Sequence, residues 1–571
     1  MVRPRARLWI FASAAAALAL CLGALAVRPR LESRIRAWIE AEAARRGIVV
    51  RIDAVQLGLW PPLQLSGVSL KVTESWRLTA VTVEAWWPGR TRLVVKQALL
   101  QGPAGLTVAS EPTTWDVDSI ARENIRLALR KPQSGLVLSR SVGAQNETTW
   151  TMAAEDLAVD RLLHVRRFGR PLLDSGTIRG LLTLMTSAEV ARFDLDLAAG
   201  SVRLPALTSD GSKPSALGEP ADLSVRVAGS WRRLEGALDI PRWSGTLDGA
   251  ALSGSLLLRD LNTDPLMDLS VDVDHVDFAR LLRMSGLEAP KSLGVEATAG
   301  RADDLGSASL AARAQGRISE PASFVVSQKI DFTPPKRLPS AIVRLRQSFV
   351  HEVALGSGGS RAIDVSPSSP DFIPLVEVPP LFLRALLIAE DAGFYGHPGI
   401  DLRELPAALL TDWNRGGAAR GASTITQQLA KNLFLSREKQ LGRKLQELTL
   451  TFLLESALDK HRILEIYLNV IEWGPGVFGL RPASRAYFGV EPGELTPAQM
   501  AFLVSLIPGP VKYQSSFRSG TPGPGLRRLV DTLLAKLRSV DALSEEEYRR
   551  ALDEPIVIQG RETHAPASLG Q

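Results

Sequence analysis

Residues 390–402 read EDAGFYGHPGIDL, residues 421–436 GASTITQQLAKNLFLS, residues 443–447 RKLQE and residues 460–469 KHRILEIYLN. The apolar period around these blocks is helical. Leu381 to Asp391 reads as an apolar helix ending on Glu390 and Asp391, with Gly393 as its stop. Gly421 to Asn432 reads as a loop feeding a helix, with Thr424 and Gln427 spaced as a capping box. Lys460 to Val470 buries Ile463, Leu464, Ile466, Tyr467 and Val470. Thr496 and Ser544 open two further capped helices, so the chain beyond about residue 372 is expected to be mainly α.

Two carboxylates in this stretch, Glu390 and Glu447, stand 57 residues apart. From Arg415 to Glu447 there are seven cations (Arg415, Arg420, Lys431, Arg437, Lys439, Arg443, Lys444) against two anions, Glu438 and Glu447. A general base needs a positioned carboxylate and a pyrophosphate needs convergent positive charge, so acid/base chemistry on a polyanionic substrate is the first reading. Glu390 sits at the negative end of a helix dipole, backed by Leu386, Leu387 and Ile388, and should hold its proton more readily than a carboxylate in water. The helix start at Thr424 offers backbone N–H groups as a seat for a phosphate or sugar oxygen. Gln427 and Lys431 share one face of that helix, as do Gln428 and Asn432. Each feature has an ordinary alternative. Glu390 can cap or pair with an arginine, the glutamines can form a solvated polar face, and Arg443 with Glu447 can be a surface ion pair. Phe394 reads as packing and His397 as a loop-fixing hydrogen-bond partner.

As a set, ED-x-x-F-x-x-H-x-G, G-x-S-T-I-T-Q-Q-x-x-K-N, R-K-x-x-E and I-L-E-x-Y-L-N resemble the family-51 glycosyltransferases, the peptidoglycan transglycosylases that polymerise lipid II. The segment EWGPGVFGLRPASRAYFG from Glu472 is most similar to the monofunctional branch of that family. The resemblance covers about residues 365–555 and implies a lysozyme-like, mainly α domain. It makes Glu390 the catalytic base and Glu447 a second carboxylate near the pyrophosphate or a divalent cation such as Mg²⁺, with no organic cofactor. It assigns leaving-group stabilisation to Arg443 and Lys444. Asp391, Ser423, Thr424, Gln427, Gln428, Lys431 and Asn432 match substrate-binding positions. The region at Leu402 to Trp413, with Leu402, Leu405, Leu409, Leu410 and Trp413 near one face, corresponds to the part of the family that touches the bilayer and admits the lipid; a buried helix face is the equal alternative. Gly393 and Arg481 depart from the family, which usually has a large or basic residue at the first position and an acidic one at the second. No S-x-x-K, S-x-N, K-T-G series follows, so a transpeptidase domain is not expected.

The rest of the chain reads differently. Leu8 to Val27 is an uncharged run of twenty residues flanked by arginines, long enough to span a hydrocarbon core and expected to be an uncleaved anchor. Leu31 to Arg46 reads as an amphipathic helix with Leu31, Ile35, Trp38 and Ile39 on one face. From Ile48 the period becomes two, as at Val81 to Ala85, Phe193-x-Leu195-x-Leu197, Leu223-x-Val225-x-Val227 and Leu269-x-Val271-x-Val273. A many-stranded β domain is expected to about residue 325. Its opening, GIVVRIDAVQLGLWPPLQLSGVSL, resembles AsmA-like proteins, whose sheets line a lipid-contacting groove; a plain β-scaffold is at least as good a reading. The expected organisation is 1–30 tip and anchor, 31–325 helix and β-rich domain, 326–372 linker with Gly, Ser and Pro runs interrupted by a strand or helix at Ala341 to Val353, and 373–571 transferase.

Asp194-Leu195-Asp196 copies a D-x-D motif, and Asp272, Asp274, His275 and Asp277 could be drawn as metal ligands. Both sets lie in alternating strands and read as solvated faces. The excess of basic over acidic residues is only six, which suits an anionic membrane or a phosphorylated lipid as well as nucleic acid. The only cysteine, Cys21, lies in the apolar run, so no intrachain disulfide forms. The family resemblance, joined to the expected anchor, implies an inner-membrane enzyme with its catalytic domain outside the cytoplasm, acting on lipid II and growing glycan, not on nucleic acid, alongside cell-wall synthesis proteins. The rival readings are a peptidoglycan-cleaving, lysozyme-like enzyme and a non-catalytic, membrane-tethered lipid-binding or assembly factor.

Overall fold

The computed structural model describes residues 28–559 apart from 46–48, 58–62, 72–76, 87–91, 102–105, 111, 121–123, 130–134, 144–146, 159–162, 168–169, 172–174, 204–217, 286–292, 294–303, 321–322, 356–358, 405–422, 436–442 and 510–519. Two compact units emerge, one from residues up to Pro265 and one from Leu266 onward, with 207–213 counted in the second and 284–286 in the first. The expected anchor at Leu8–Val27 lies outside the described residues. Among the described residues no helix is long and apolar enough to cross a membrane.

The first unit is β-rich. Helix α1 occupies residues 28–45. Its docking face is not the expected Leu31/Ile35/Trp38/Ile39 stripe, for Leu31 and Trp38 are exposed. Instead Glu32 accepts from the Leu57 amide (2.8 Å), Arg36 donates to the Asp53 carbonyl (3.2 Å) and Glu40 accepts from the Ile52 amide (3.0 Å). These three residues follow the i, i+4, i+8 spacing, and they satisfy backbone groups of the first strands that would otherwise lack partners. The strands then run antiparallel, Leu63–Lys71 beside Arg77–Trp86 beside Arg92–Gln101. Further on, Ser175–Thr186, Val190–Arg203, Ala221–Arg232, Ala237–Leu247 and Ala250–Arg259 pair each with the next. The period-two reading holds: Leu195 faces Leu182 and Val227, while Asp194 and Asp196 lie exposed on the other face. Asp196 is paired with Arg226 at 2.7 Å, so the D-x-D run is a solvated strand face. Packing is thin here. Among the described residues the buried cluster in this unit is Leu129 and Leu157, with Trp115, Leu136, Ala154 and Ile178 against it.

The second unit holds a large core running from Phe278 to Ile558. Three antiparallel strands, Leu266–Asp277, Ser307–Arg317 and Val325–Thr333, with helix α2 (Phe278–Met284), contribute to that core. The stretch 326–372, read as a linker, is occupied by the last of those strands, a helical turn at Ser340–Val343 and a hairpin of Phe349–Ala354 with Ser360–Val365. Of its Gly-Ser-Gly-Gly-Ser run, residues 356–358 lie outside the described residues. Arg462 donates to the carbonyls of Leu345 and Gln347 and fixes the approach to that hairpin. Asp272, Asp274, His275 and Asp277 are exposed; Asp274 accepts from Ser309 and Asp277 from the Arg280 amide.

Helices then follow: α3 Pro380–Glu390, α4 Ile425–Phe434, α5 Arg443–Ala457, α6 Lys460–Val470, α7 Leu480–Phe488, α8 Pro497–Leu506, α9 Pro524–Ser539 and α10 Glu545–Asp553, of which α7 and α9 are additional to those read from the sequence. Thr496 with Gln499 and Ser544 with Glu547 form complete capping boxes. Asn469 exchanges two hydrogen bonds with the Ile373 backbone, so it is architectural. Arg481 sits at the start of α7, where the helix dipole disfavours a cation. It is accommodated by the Phe372 carbonyl and by Glu377 and Glu491, and so ties the 372–377 segment to α7.

Candidate active site

The site begins where α3 ends. Pro380 occupies the first turn, where its missing N–H is harmless, and Phe382, Ala385 and Leu386 are fully buried. The helix stops at Glu390 because Asp391 leaves helical geometry, its amide making the last bond to Leu387. Glu390 Oε2 accepts a hydrogen bond of 2.7 Å from Gln428 Nε2 on α4. Gln428 Oε1 in turn accepts one of 2.8 Å from the Tyr467 hydroxyl on α6. Tyr467 is fully buried, and burial together with the charges of Glu390 and Asp391 holds its hydroxyl far above the usual range. The phenol therefore keeps its proton and donates it, which turns the NH₂ end of the Gln428 amide toward the carboxylate. Burial raises the pKa of Glu390. The Gln428 bond and the positive charge of Lys431 pull it back, and Asp391 pushes it up, with a net rise. That is the direction a general base needs.

Asp391, matched to a substrate-binding position, has both carboxylate oxygens engaged within the protein. Oδ1 lies 2.8 Å from His397 Nε2, and Oδ2 accepts from the Ile425 amide at 3.0 Å. Gly399 donates its amide to His397 Nδ1 (3.1 Å), so the ring proton is on Nε2 and points at Asp391. His397 thus has the loop-fixing role read from the sequence, and Phe394 is buried packing. Thr424 donates to the Gly399 carbonyl (2.6 Å) and accepts from the Gln427 amide (3.2 Å). These bonds correct one expectation: two of the first three amides of α4, on Ile425 and Gln427, are already satisfied and do not form an open anion seat. Only the Thr424 half of the expected capping box forms, because the Gln427 side chain is used elsewhere.

Gln427 faces the second carboxylate. Lys444 Nζ on α5 lies 3.1 Å from Gln427 Oε1, 3.2 Å from Ser423 Oγ and 3.0 Å from Glu447 Oε2. Glu447 is buried, whereas the Lys444 side chain is 55% exposed. Glu390 and Glu447 are therefore bound, directly and through Lys444, to consecutive amides of a single helix. Lys431 is on the same helix, one turn after Gln427, and close enough to act on Glu390 electrostatically; Asn432 is exposed, and its main chain bonds the buried His351. Arg443 is the first residue of α5. Arg415, Arg420, Arg437 and Lys439 lie outside the described residues, as does the expected helix from 405 to 413; before it, Leu402–Glu404 forms a 3₁₀ turn.

Gly393 is explained by its surroundings. A Cβ there would lie 2.1 Å from Arg403 Nη2 and 2.7 Å from Asp401 Oδ2, so the two-bond Arg403–Asp401 pair fills the space a side chain would take. Tyr467 was legible only as core. The signal for more was its hydroxyl, since a tyrosine in a fully buried stripe needs a partner. Among the described residues no three His, Cys, Asp or Glu side chains converge as a metal site. Glu447 offers one carboxylate, shared with Lys444. Mg²⁺ commonly binds one or two carboxylates together with substrate phosphates, so the donor set fits a cation that arrives with a diphosphate.

Comparison with known proteins converges on one family. The transglycosylase family profile matches residues 360–527. Biosynthetic peptidoglycan transglycosylases from Nitrosomonas eutropha, Chromobacterium violaceum and Nitrobacter winogradskyi are 47%, 44% and 41% identical. The matches cover 27%, 30% and 32% of this chain, and the chain spans 62%, 73% and 78% of those proteins. Relatives of this identity and coverage, with a family match lying inside the unit that holds Glu390, Gln428 and Glu447, identify the chain as a member of the peptidoglycan transglycosylase family, the glycosyltransferases of peptidoglycan synthesis.

Proposed function

We propose that this protein polymerises lipid II into β-1,4-linked glycan. Glu390 takes the proton from the 4-hydroxyl of the acceptor GlcNAc as that oxygen attacks C1 of the donor MurNAc. The new O4–C1 bond forms as the bond from C1 to the pyrophosphate breaks, with inversion, and undecaprenyl pyrophosphate leaves with the electron pair. Lys431, Arg443 and Lys444 meet the developing negative charge, and Glu447 orients Lys444. Glu447 would hold a divalent cation entering with the diphosphate, which would supply further positive charge to the leaving group. Ser423, Gln427, Gln428 and Asn432 line the path of the sugars, with Asp391 and Thr424 acting through the loop they anchor.

The observation that carries this reading is the attachment of both carboxylates to Gln427 and Gln428 of α4, which sets a raised-pKa base beside a cationic acceptor of charge. Around it we place the wider organisation: an anchor at Leu8–Val27, the catalytic unit on the extracytoplasmic side of the inner membrane, and an AsmA-like β-rich region between them, with cell-wall synthesis proteins as partners. The exposed Trp38 and Leu31 on α1 suit a helix lying at a membrane surface. Lipid II polymerisation by Glu390→Gln is the test. A loss of about 10²–10⁴-fold is the expectation for a general base, and near wild-type chain elongation overturns the assignment. Release of soluble muropeptides from sacculi would instead identify a cleaving enzyme.

A further inference from the structure

The region matched to the transglycosylase family begins at residue 360, yet the catalytic unit begins almost a hundred residues earlier. The link is specific. On the strand Val325–Thr333, the side-chain amide of Gln328 bonds both ends of one short piece of main chain. Its Nε2 donates to the Ile400 carbonyl (2.9 Å) and its Oε1 accepts from the Leu402 amide (2.7 Å). Between those two residues stands the buried Asp401, which holds Arg403. Just before them is Gly399, bound to His397 and Thr424, and through these to Asp391 and α4. The same part of the unit reaches α5 as well: Phe332, on that strand, and Phe278, the first residue of α2, stack on Phe452 at 5.2 and 5.4 Å between ring centroids, and α5 carries Lys444 and Glu447.

We infer that Gln328, outside the family region, is a positioning residue of the transferase, holding the 391–404 loop in register with α4 so that the lipid-linked substrate binds. An amide that both donates to and accepts from main chain two residues apart copies the pattern of a β-bridge, and it fixes the loop's path more tightly than one bond does. The far end of the loop leads into residues 405–422, which lie outside the described residues. The inference rests on the transglycosylase reading for its substrate, and on geometry alone for the clamp.

The test uses the full-length protein and Gln328→Ala. Lipid II polymerisation should show a KM raised by about tenfold, the equivalent of one to two neutral hydrogen bonds, with kcat within about twofold. KM does not depend on the fraction of enzyme that is folded, so a merely structural loss cannot produce this split. Hydrogen exchange without substrate should be faster at Gly399, whose amide Gln328 does not touch, while α6 keeps its protection. Gln328→Glu, which keeps an acceptor for Leu402 and loses the donor to Ile400, should fall between the two and serves if the alanine variant does not fold. An unchanged KM in an active enzyme overturns the inference, as does unchanged exchange at Gly399. A wild-type protein inactive on lipid II overturns the proposed function instead, and the exchange result still decides the role of Gln328.

Discussion

The hydroxyl of Tyr467 and the side-chain carbonyl of Gln428 are 2.8 Å apart, and this bond determines which end of the Gln428 amide meets Glu390. With the hydroxyl present, the amide has one satisfied orientation. Without it, the amide can turn and set its oxygen against the carboxylate.

Tyr467→Phe is therefore expected to lower kcat/KM about tenfold, the scale of a hydrogen bond to a charged group. Because Gln428 lowers the pKa of Glu390, losing its donation moves the acid limb of the pH–rate profile to higher pH. In a Gln428→Leu background the tyrosine change should add nothing. Additive effects, or an acid limb that stays in place, would show that Tyr467 acts only as packing.

Burial of Glu390 also carries a stability cost. Its folded pKa is raised above the unfolded value, so folding favours the protonated form; that contribution is full below the unfolded pKa and is lost as pH rises through the folded one. Near neutral pH the ionised carboxylate opposes folding. Glu390→Gln should accordingly raise Tm at pH 7–8 by a few degrees, at about 2–4 °C per kcal/mol for a unit of this size. The gain should vanish in acid, where both side chains are neutral. Equal Tm differences at both pH values would contradict the burial argument.

Gly399 has φ +88°, and a Cβ there would come within 2.5 Å of Thr451 Cγ2 and 2.9 Å of Glu455 Cγ. Both neighbours are side chains of α5 and both are held in place: Thr451 donates to the Glu447 carbonyl, and Glu455 Oε1 accepts from Thr426 and Lys460. Gly399→Ala should cost about 2–4 kcal/mol in chemical denaturation, from left-handed backbone strain and overpacking together. A loss below about 0.5 kcal/mol would mean that the loop relaxes freely.

Lys444 is the ion-pair partner of Glu447 and faces Ser423 and Gln427 as well. Lys444→Met should reduce kcat by about 10²-fold if the ammonium stabilises charge developing in the transition state. With Glu447→Gln, a double-mutant cycle should give a coupling of about 0.5–3 kcal/mol in transition-state free energy. Independent effects would separate the two residues functionally.

Much of this protein follows from local pattern. Glu390 closing an apolar helix, the caps at Thr496 and Ser544, the alternation through Phe193, Leu195 and Leu197, and the motif spacing that names the family are properties of neighbouring residues. Sequence therefore determined the element types, the family and the pair of carboxylates. It did not determine where the catalytic unit begins. The loose composition of 326–372 reads as linker, but Gln328 reaches Ile400 and Leu402, and Phe278 and Phe332 reach Phe452, through contacts with residues 72 or more positions away. Nor did it decide that Asp391 faces inward, that α1 docks through Glu32, Arg36 and Glu40, or that Tyr467 orients Gln428. Those outcomes depend on which polar groups meet when distant segments close over a core. Buried donors and acceptors must find partners wherever the fold brings them, and no local pattern records that pairing.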